Sequence, residues 1–458
     1  MSSDSDSHVS QDAAGNVLLR ARNGDVIRFD DTGLVLKLSD QVVENLRDRV
    51  SPVIDAEVLG DVDAWDLHRH GDWYLFHANL PGMPGPRRYR RLVSGGDSIA
   101  ETPGSVLGVL GLGGARRTRT VSGNGAFPYH VVAPADEVGA VGLAGVETAV
   151  ATDKAQLLRE QTADSLLAGE MLALRQKAGR GLPLIVARTE TDRSASLAEL
   201  GEGTAFQNAL QAADNLKALA GTLGKRAKIA CISVDFTLED VVTAEQDYAG
   251  TLRSLLGKLT GALWDKGFAV PTVLALFDTT APALRQAQYE LAVGSSEGSP
   301  VYSMPSYALD MDDYARPTEN AMQMRAMTEA AALAEIEAGR GWQCPLLLLA
   351  EWDGKARIRV RSNSSLSLEI GPEDPFGAGE AAGFRLKGPD GAIGIKSVTV
   401  DPKEQRDVLI EPDGDAPRKG LRLGYAWDGP GALCDNWQHP YGNPVRRWVL
   451  PAMLEVHG

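Results

Sequence analysis

Apolar and polar positions change their rhythm several times along the chain, and each rhythm predicts a different kind of structure. From Val17 the pattern alternates: Val17-Leu18-Leu19-Arg20-Ala21-Arg22, Asn23-Gly24, then Val26-Ile27-Arg28-Phe29. Alternation on both sides of Asn-Gly predicts a β-hairpin, because its tight turn needs residues that accept positive φ. Asp31-Thr32-Gly33 makes a second turn into Leu34-Val35-Leu36-Lys37-Leu38. Ser39 then caps a short helix carrying Val42, Val43, Leu46 and Val50, stopped before Pro52. The polar residues 1–15 read as a disordered tail. A hairpin with one amphipathic helix buries little surface. Residues 1–60 are therefore expected to be an attachment or oligomerisation element, the alternative being that they pack on the main body.

Residues 61–90 concentrate aromatics and histidines: Trp65, His68, His70, Trp73, Tyr74, Phe76 and His77. They read as the two faces of an entry strand. No acidic residue at ligand spacing makes His68, His70 and His77 a metal site. From about 91 to 340, wholly apolar runs such as Leu184-Ile185-Val186-Ala187, Ile229-Ala230-Cys231-Ile232 and Thr272 to Phe277 alternate with helical stretches at 205–221 and 318–338. Strands apolar on both faces and joined by helices predict a buried parallel sheet in a doubly wound α/β domain. Ligands of such sheets sit at the carboxyl ends of the strands, where Ser98 and the loops 188–200, 233–240 and 310–318 are expected to converge. After Gly341 short alternating strands between Gly, Pro and Asp turns predict an all-β unit, a small sandwich. The expected division is 1–60, 61–340 (entered through the aromatic-rich 61–90) and 341–458.

The chain's 458 residues suffice for two or three cores, and its net charge of −15 excludes nucleic acid as the expected partner. Two basic runs, Arg87-Arg88-Tyr89-Arg90-Arg91 and Arg116-Arg117-Thr118-Arg119, read first as solvated faces and second as a grip on acidic polysaccharide. Cys231, Cys344 and Cys434 are too scattered for a disulfide framework or a zinc site. No motif calls for a cofactor. The polar N-terminus has no signal-peptide core and no apolar run reaches a membrane span, so the expectation is a soluble protein made in the cytoplasm, without membrane insertion.

Candidate chemistry begins with Gly96-Asp97-Ser98-Ile99, a serine motif of the kind that attacks esters. No histidine stands between His130 and His439, and where the serine's base should lie the chain reads Asp313-Tyr314-Ala315-Arg316-Pro317-Thr318. Arginine stays protonated and cannot serve as a base.

With Ser196-Leu197-Ala198-Glu199-Leu200 before Gly203-Thr204, Ile232-Ser233-Val234-Asp235, and Tyr425-Ala426-Trp427 ahead of Leu433 to Trp437, these stretches resemble the SGNH (GDSL) hydrolases, in particular their carbohydrate (sialate) O-acetylesterase branch, from about residue 91 to the C-terminus. The resemblance implies a three-layer α/β domain with a parallel sheet, Ser98 at the nucleophile position and Asp313 at the acid position of the last block. It also implies loss of chemistry. The second block has Asp192-Arg193-Ser194-Ala195 instead of glycines, and the third has Asp235 where an oxyanion donor belongs. Losing one such donor costs about 10²–10³-fold in rate.

The expected function is a non-catalytic carbohydrate-recognition protein on a degenerate esterase scaffold. It would grip bacterial surface polysaccharide through Arg193, Asp235 and Arg316 in the cleft and through aromatics such as Trp427, Trp437, Tyr441 and Trp448. A leaderless polysaccharide binder fits the spike or fibre of a phage-like particle, a homo-oligomer held to a base or vertex protein by its N-terminus. The alternatives are an active O-acetylesterase using Ser98 with a base such as His130 or His439, and a purely structural particle protein.

Overall fold

The computed structural model describes residues 8–11, 17–20, 25–30, 33–40, 42–43, 56–60, 62–143, 147–238, 247–294, 299–313, 316–354, 356–371 and 374–458. The chain forms two compact units, Met1–Gly95 and Gly96–Gly458. This division differs from the expected one: residues 62–95 belong to the N-terminal unit, and the α/β and all-β parts share the second.

In the first unit β1 (His8–Gln11), β2 (Val17–Arg20), β3 (Val26–Asp30) and β4 (Gly33–Lys37) form an antiparallel sheet in that order. β2 and β3 are the expected hairpin, with Val17 opposite Phe29 and Arg20 opposite Val26. β1 corrects the expectation of a disordered tail, because His8–Gln11 pairs with Val17–Arg20. Asp40, Val42 and Val43 are helical as expected, while Leu46 and Val50 lie outside the described residues. The histidine-rich segment forms β5 (Ala64–His70) and β6 (Trp73–Ala78), which pairs with β7 (Arg87–Leu92). There His77 Nδ1 lies 3.2 Å from Asp66 and His68 Nε2 3.1 Å from Arg88.

The second unit is mixed α/β. Its first sheet has eight strands. Seven run in the order β10-β9-β11-β8-β12-β13-β14, where β8 is Val106–Gly113, β9 Val131–Pro134, β10 Ala155–Leu157, β11 Ile185–Thr191, β12 Ala227–Asp235, β13 Thr272–Phe277 and β14 Val301–Pro305. All neighbours in this row are parallel except β10 against β9. Every residue of β11 is buried, as a strand covered on both faces requires.

The cover consists of α1 (Ala163–Lys177), α2 (Thr204–Thr222), α3 (Tyr248–Asp265), α4 (Pro282–Val293) and α5 (Glu319–Glu337). Two glycines of β8 fix the faces. A Cβ on Gly111 would meet Asp164 of α1, whereas one on Gly108 would meet Leu216 of α2. Positions of opposite parity point to opposite faces, so helices lie on both.

After Leu346 the chain builds a second eight-stranded sheet, which begins with β15 (Leu347–Asp353) and ends with β22 (Ala452–His457). Its two outermost strands, Gly391–Ile393 and Ile395–Val400, are consecutive in sequence with only Gly394 between them. One sheet therefore curls until its edges nearly meet, in place of the expected sandwich of two sheets. Alternation fills the inside, as in Phe384-Arg385-Leu386-Lys387, where the apolar residues are buried and the charged ones exposed. Tyr289 and Tyr307 of the α/β part pack against that core, and their hydroxyls donate to the Leu347 and Val449 carbonyls at 2.7 and 2.8 Å.

Candidate functional site

At the carboxyl ends of the parallel strands the expected cleft is filled with charge pairs. β8 ends at Gly113 and turns through one 3₁₀ turn, Ala115–Thr118. That turn sends Arg116 to Asp278, just past β13, and Arg117 to Asp164 at 2.7 Å. Asp164 also accepts from the Thr189 hydroxyl at 2.5 Å. Both arginines are buried, which corrects the reading of this run as a solvated face; a carboxylate opposite each guanidinium makes the burial tolerable. Asp235, at the end of β12, takes Arg325 of α5 at 2.5 Å, and Arg325 Nε donates to Glu329 at 2.8 Å. Burial alone would raise the Asp235 carboxyl, but Arg325 and Arg117 outweigh it and hold it below its ordinary range. The space left beside Asp235 and Asp278 is about 10 Å³, room for one water at most.

Ser98 is not at these strand ends. Asp97 accepts the Leu157 N–H at 2.8 Å and Ala100 N–H bonds to Tyr129 O. Tyr129 leads into β9, and Leu157 pairs with Val132 near the start of that strand. Ser98 thus lies at the amino edge of the sheet, because it precedes β8 and the chain enters the sheet there. It does not meet Asp235, Arg193, Asp313 or Arg316, which follow the carboxyl ends. Among the described residues no side chain hydrogen-bonds to Ser98. His130 is buried, with Nδ1 3.3 Å from Pro183 O.

The loop residues also differ from expectation. Asp192 accepts from the Ser194 and Ala195 N–H groups, which leaves Arg193 exposed on the turn. Arg316 pairs with Asp312 at 3.1 Å rather than with Asp313, and Arg119 reaches the same carboxylate at 2.9 Å. Asp313 is exposed. Asp312 wins because its carboxylate also caps the turn by accepting Arg316 N–H at 2.9 Å. Trp427 lies under Arg285, whose guanidinium carbon is 5.2 Å from the ring centroid and which also donates to the Trp427 carbonyl.

Trp437 belongs to a different site. Its ring meets Trp342 edge-on at 5.0 Å and His439 at 6.0 Å; His439 in turn is 6.0 Å from Tyr441. This row runs between two cavities that share Arg340, of about 380 and 320 Å³. The first is lined by Tyr302, Trp342 and Arg447, among others; the second lies between the last turns of α1 and α5 and the His439–Tyr441 loop. His439 Nδ1 accepts the N–H of Tyr441 at 3.1 Å and of Asn443 at 3.4 Å, which assigns the ring proton to Nε2. Burial, then the nearby Lys177, lowers the pKa of the imidazole, so it is neutral at pH 7. The sequence offered Trp437 and Tyr441 as sugar-facing aromatics and His439 only as a base for Ser98. Trp342, Glu335 and Arg340, far away in the chain, carried no signal that joined them to these residues.

Among the described residues no group of three metal-ligating side chains occurs, and no helix is long and apolar enough to cross a membrane. No family model matches the sequence, and no curated protein matches it significantly. Among solved structures, the N-terminal part of the bacterial S-layer protein SbsC is similar at 13% identity and a TM-score of 0.19, over 63% of this chain and 55% of that one. SbsC(31–844) gives 12% identity and a TM-score of 0.19, over 69% of this chain and 34% of that one. The chain spans about half the length of the first, and at such TM-scores the likeness says nothing about fold or function.

Proposed function

We propose that the protein is a non-catalytic carbohydrate-recognition protein on a degenerate SGNH-type scaffold, which binds bacterial surface polysaccharide as the spike or fibre of a phage-like particle. One observation carries the non-catalytic reading. The first parallel strand, where a strand-end nucleophile would follow, runs into Gly113-Gly114-Ala115-Arg116, with no hydroxyl, thiol or carboxylate. Arg116 and Arg117 then close that end of the sheet with ion pairs. A nucleophile also needs a base within hydrogen-bond reach, and Ser98 has none among the described residues. The strand order turns at β8, with β11 on one side of it and β12 on the other, and helices cover both faces, as in a doubly wound sheet, which supports the SGNH-type layering.

The binding reading is supported by the aromatic row and its two cavities, since sugar recognition needs concave space, ring faces and a few polar groups. Attachment through the N-terminal unit is supported by its small sheet. Phe29 opposes Leu34 and Ile27 opposes Leu36, and all four are exposed; an apolar strip of this kind marks a partner surface. The test is turnover of p-nitrophenyl acetate and acetylated glycans beside sedimentation with capsulated bacteria. We expect no turnover, no effect of Ser98→Ala on that baseline, and binding to capsulated cells only. Hydrolysis abolished by Ser98→Ala would overturn the reading.

A further inference from the structure

We propose that the two cavities on either side of Arg340 form one extended site for an acidic oligosaccharide, with a sugar residue held in each. The inference rests on the carbohydrate-recognition reading and gives it a surface and a glycan class. Each cavity, at about 380 and 320 Å³, falls within the usual size of a ligand pocket. The wall between them carries rings in succession from Trp342 to Tyr441, and Tyr441, 42% exposed, presents its ring to an incoming ligand.

The second cavity also has in its wall an unpartnered buried donor, His439 Nε2, on a residue 5% exposed. Buried polar atoms without partners are rare and need a reason. An oligosaccharide brings hydroxyl and carboxylate acceptors to it, directly or through a bridging water. The tautomer fixed at His439 makes Nε2 a donor, the complement of such an acceptor.

Charge selects the glycan. The second cavity is lined by Arg175, Arg180 and Arg340 against Glu335 and Glu337, and Lys177, bonded to Asn443, acts by its charge on His439. The first adds Arg447 and Asp435. Four lining cations thus face three lining carboxylates, and the pairs Arg175–Glu337, Arg340–Glu335 and Arg447–Asp435 leave an excess of one cation on a chain whose net charge is −15. A local excess of cations on an acidic protein favours an anionic ligand, and uronic acids combine a carboxylate with a pyranose face for Tyr441.

The experiment titrates the full chain with hyaluronate oligosaccharides, with dextran and with polyglutamate, followed by calorimetry and tryptophan fluorescence. Three variants accompany it: Tyr441→Ala and Arg180→Glu on the exposed rim, and His439→Asn, whose Oδ1 still accepts from Tyr441 and Asn443 while its shorter amide puts no donor at the Nε2 position. We expect hyaluronate to bind and perturb the tryptophan emission, each variant to bind it about ten-fold more weakly with an unchanged unfolding midpoint, and dextran to bind at least ten-fold more weakly than hyaluronate. Native-like binding by all three variants would remove the site while leaving carbohydrate recognition standing. Dextran binding as tightly as hyaluronate would overturn the acidic class, and polyglutamate binding as tightly would indicate a peptide partner. No binding to hyaluronate, dextran or capsulated cells would overturn the site and the carbohydrate reading together.

Discussion

Arg325 shows how the closed end of the parallel sheet is held. Its guanidinium lies between Asp235 and Glu329, all three buried, and removing the cation leaves two carboxylates in a water-poor interior. Arg325→Met should destabilise the fold by about 3–5 kcal/mol, measured by urea unfolding at pH 7. The pH dependence should also invert. In the native protein Asp235 is depressed below its ordinary value of 3.8, so its stabilisation is full above that value and is lost as pH falls through the lowered one. Without Arg325, burial, the largest influence on this carboxyl, is opposed only by the charges of Arg117 and Arg116. We expect burial to raise the carboxyl pKa, so that the folded variant binds protons more readily than the unfolded chain and gains stability as pH falls from 7. Parallel losses on acidification in the two proteins would refute this account. Trp427 carries a different lesson: an aromatic chosen from sequence as a sugar platform is already covered by Arg285.

At the scale of the element, β8 is the strand on which the rest of the sheet is ordered, and its glycines are not equivalent. A Cβ on Gly111 would fall 1.8 Å from the Asp164 carboxylate, which is held by Arg117 and Thr189 and has no room to retreat. A Cβ on Gly108 would meet the Leu216 Cδ2 at 2.7 Å, the free end of a flexible side chain. Gly111→Ala should therefore cost about 3 kcal/mol and Gly108→Ala about 1 kcal/mol or less, compared by urea midpoints; equal costs would show that the Asp164 pair yields. Most elements of this region were legible beforehand. The runs around 184–187, 229–232 and 272–277 became β11, β12 and β13, and the stretches 205–221 and 318–338 became α2 and α5.

Over the whole molecule, the α/β and all-β parts of Gly96–Gly458 form one compact unit, although the texture of the sequence changes at Gly341. Tyr289 and Tyr307 pack against the core of the curled sheet and bond to Leu347, Tyr425 and Val449, so cutting there would uncover that core. Residues 96–458 made alone should unfold in a single calorimetric transition, and separate chains ending and starting at 340/341 should aggregate. A soluble, folded 341–458 fragment would restore the boundary expected from sequence.

Periodicity and turn chemistry were enough to determine the class of each part: the Asn23-Gly24 hairpin, the buried parallel strands, the long helices and the alternating strands after Leu346. These depend on residues close together in the chain, where spacing alone sets which side chains share a face. Tertiary structure alone decided the rest. Arg116 is buried by Asp278 162 positions away and Arg117 by Asp164 47 away, and no local pattern separates them from a solvated basic run. The edge of the sheet on which Ser98 lies depends on where the chain enters it, and the curled sheet depends on its outer strands approaching each other. The crevice around Arg340 exists only because α1, α5 and the His439 loop come together. Local spacing decides elements, whereas burial, pairing and cavities depend on which distant segments meet.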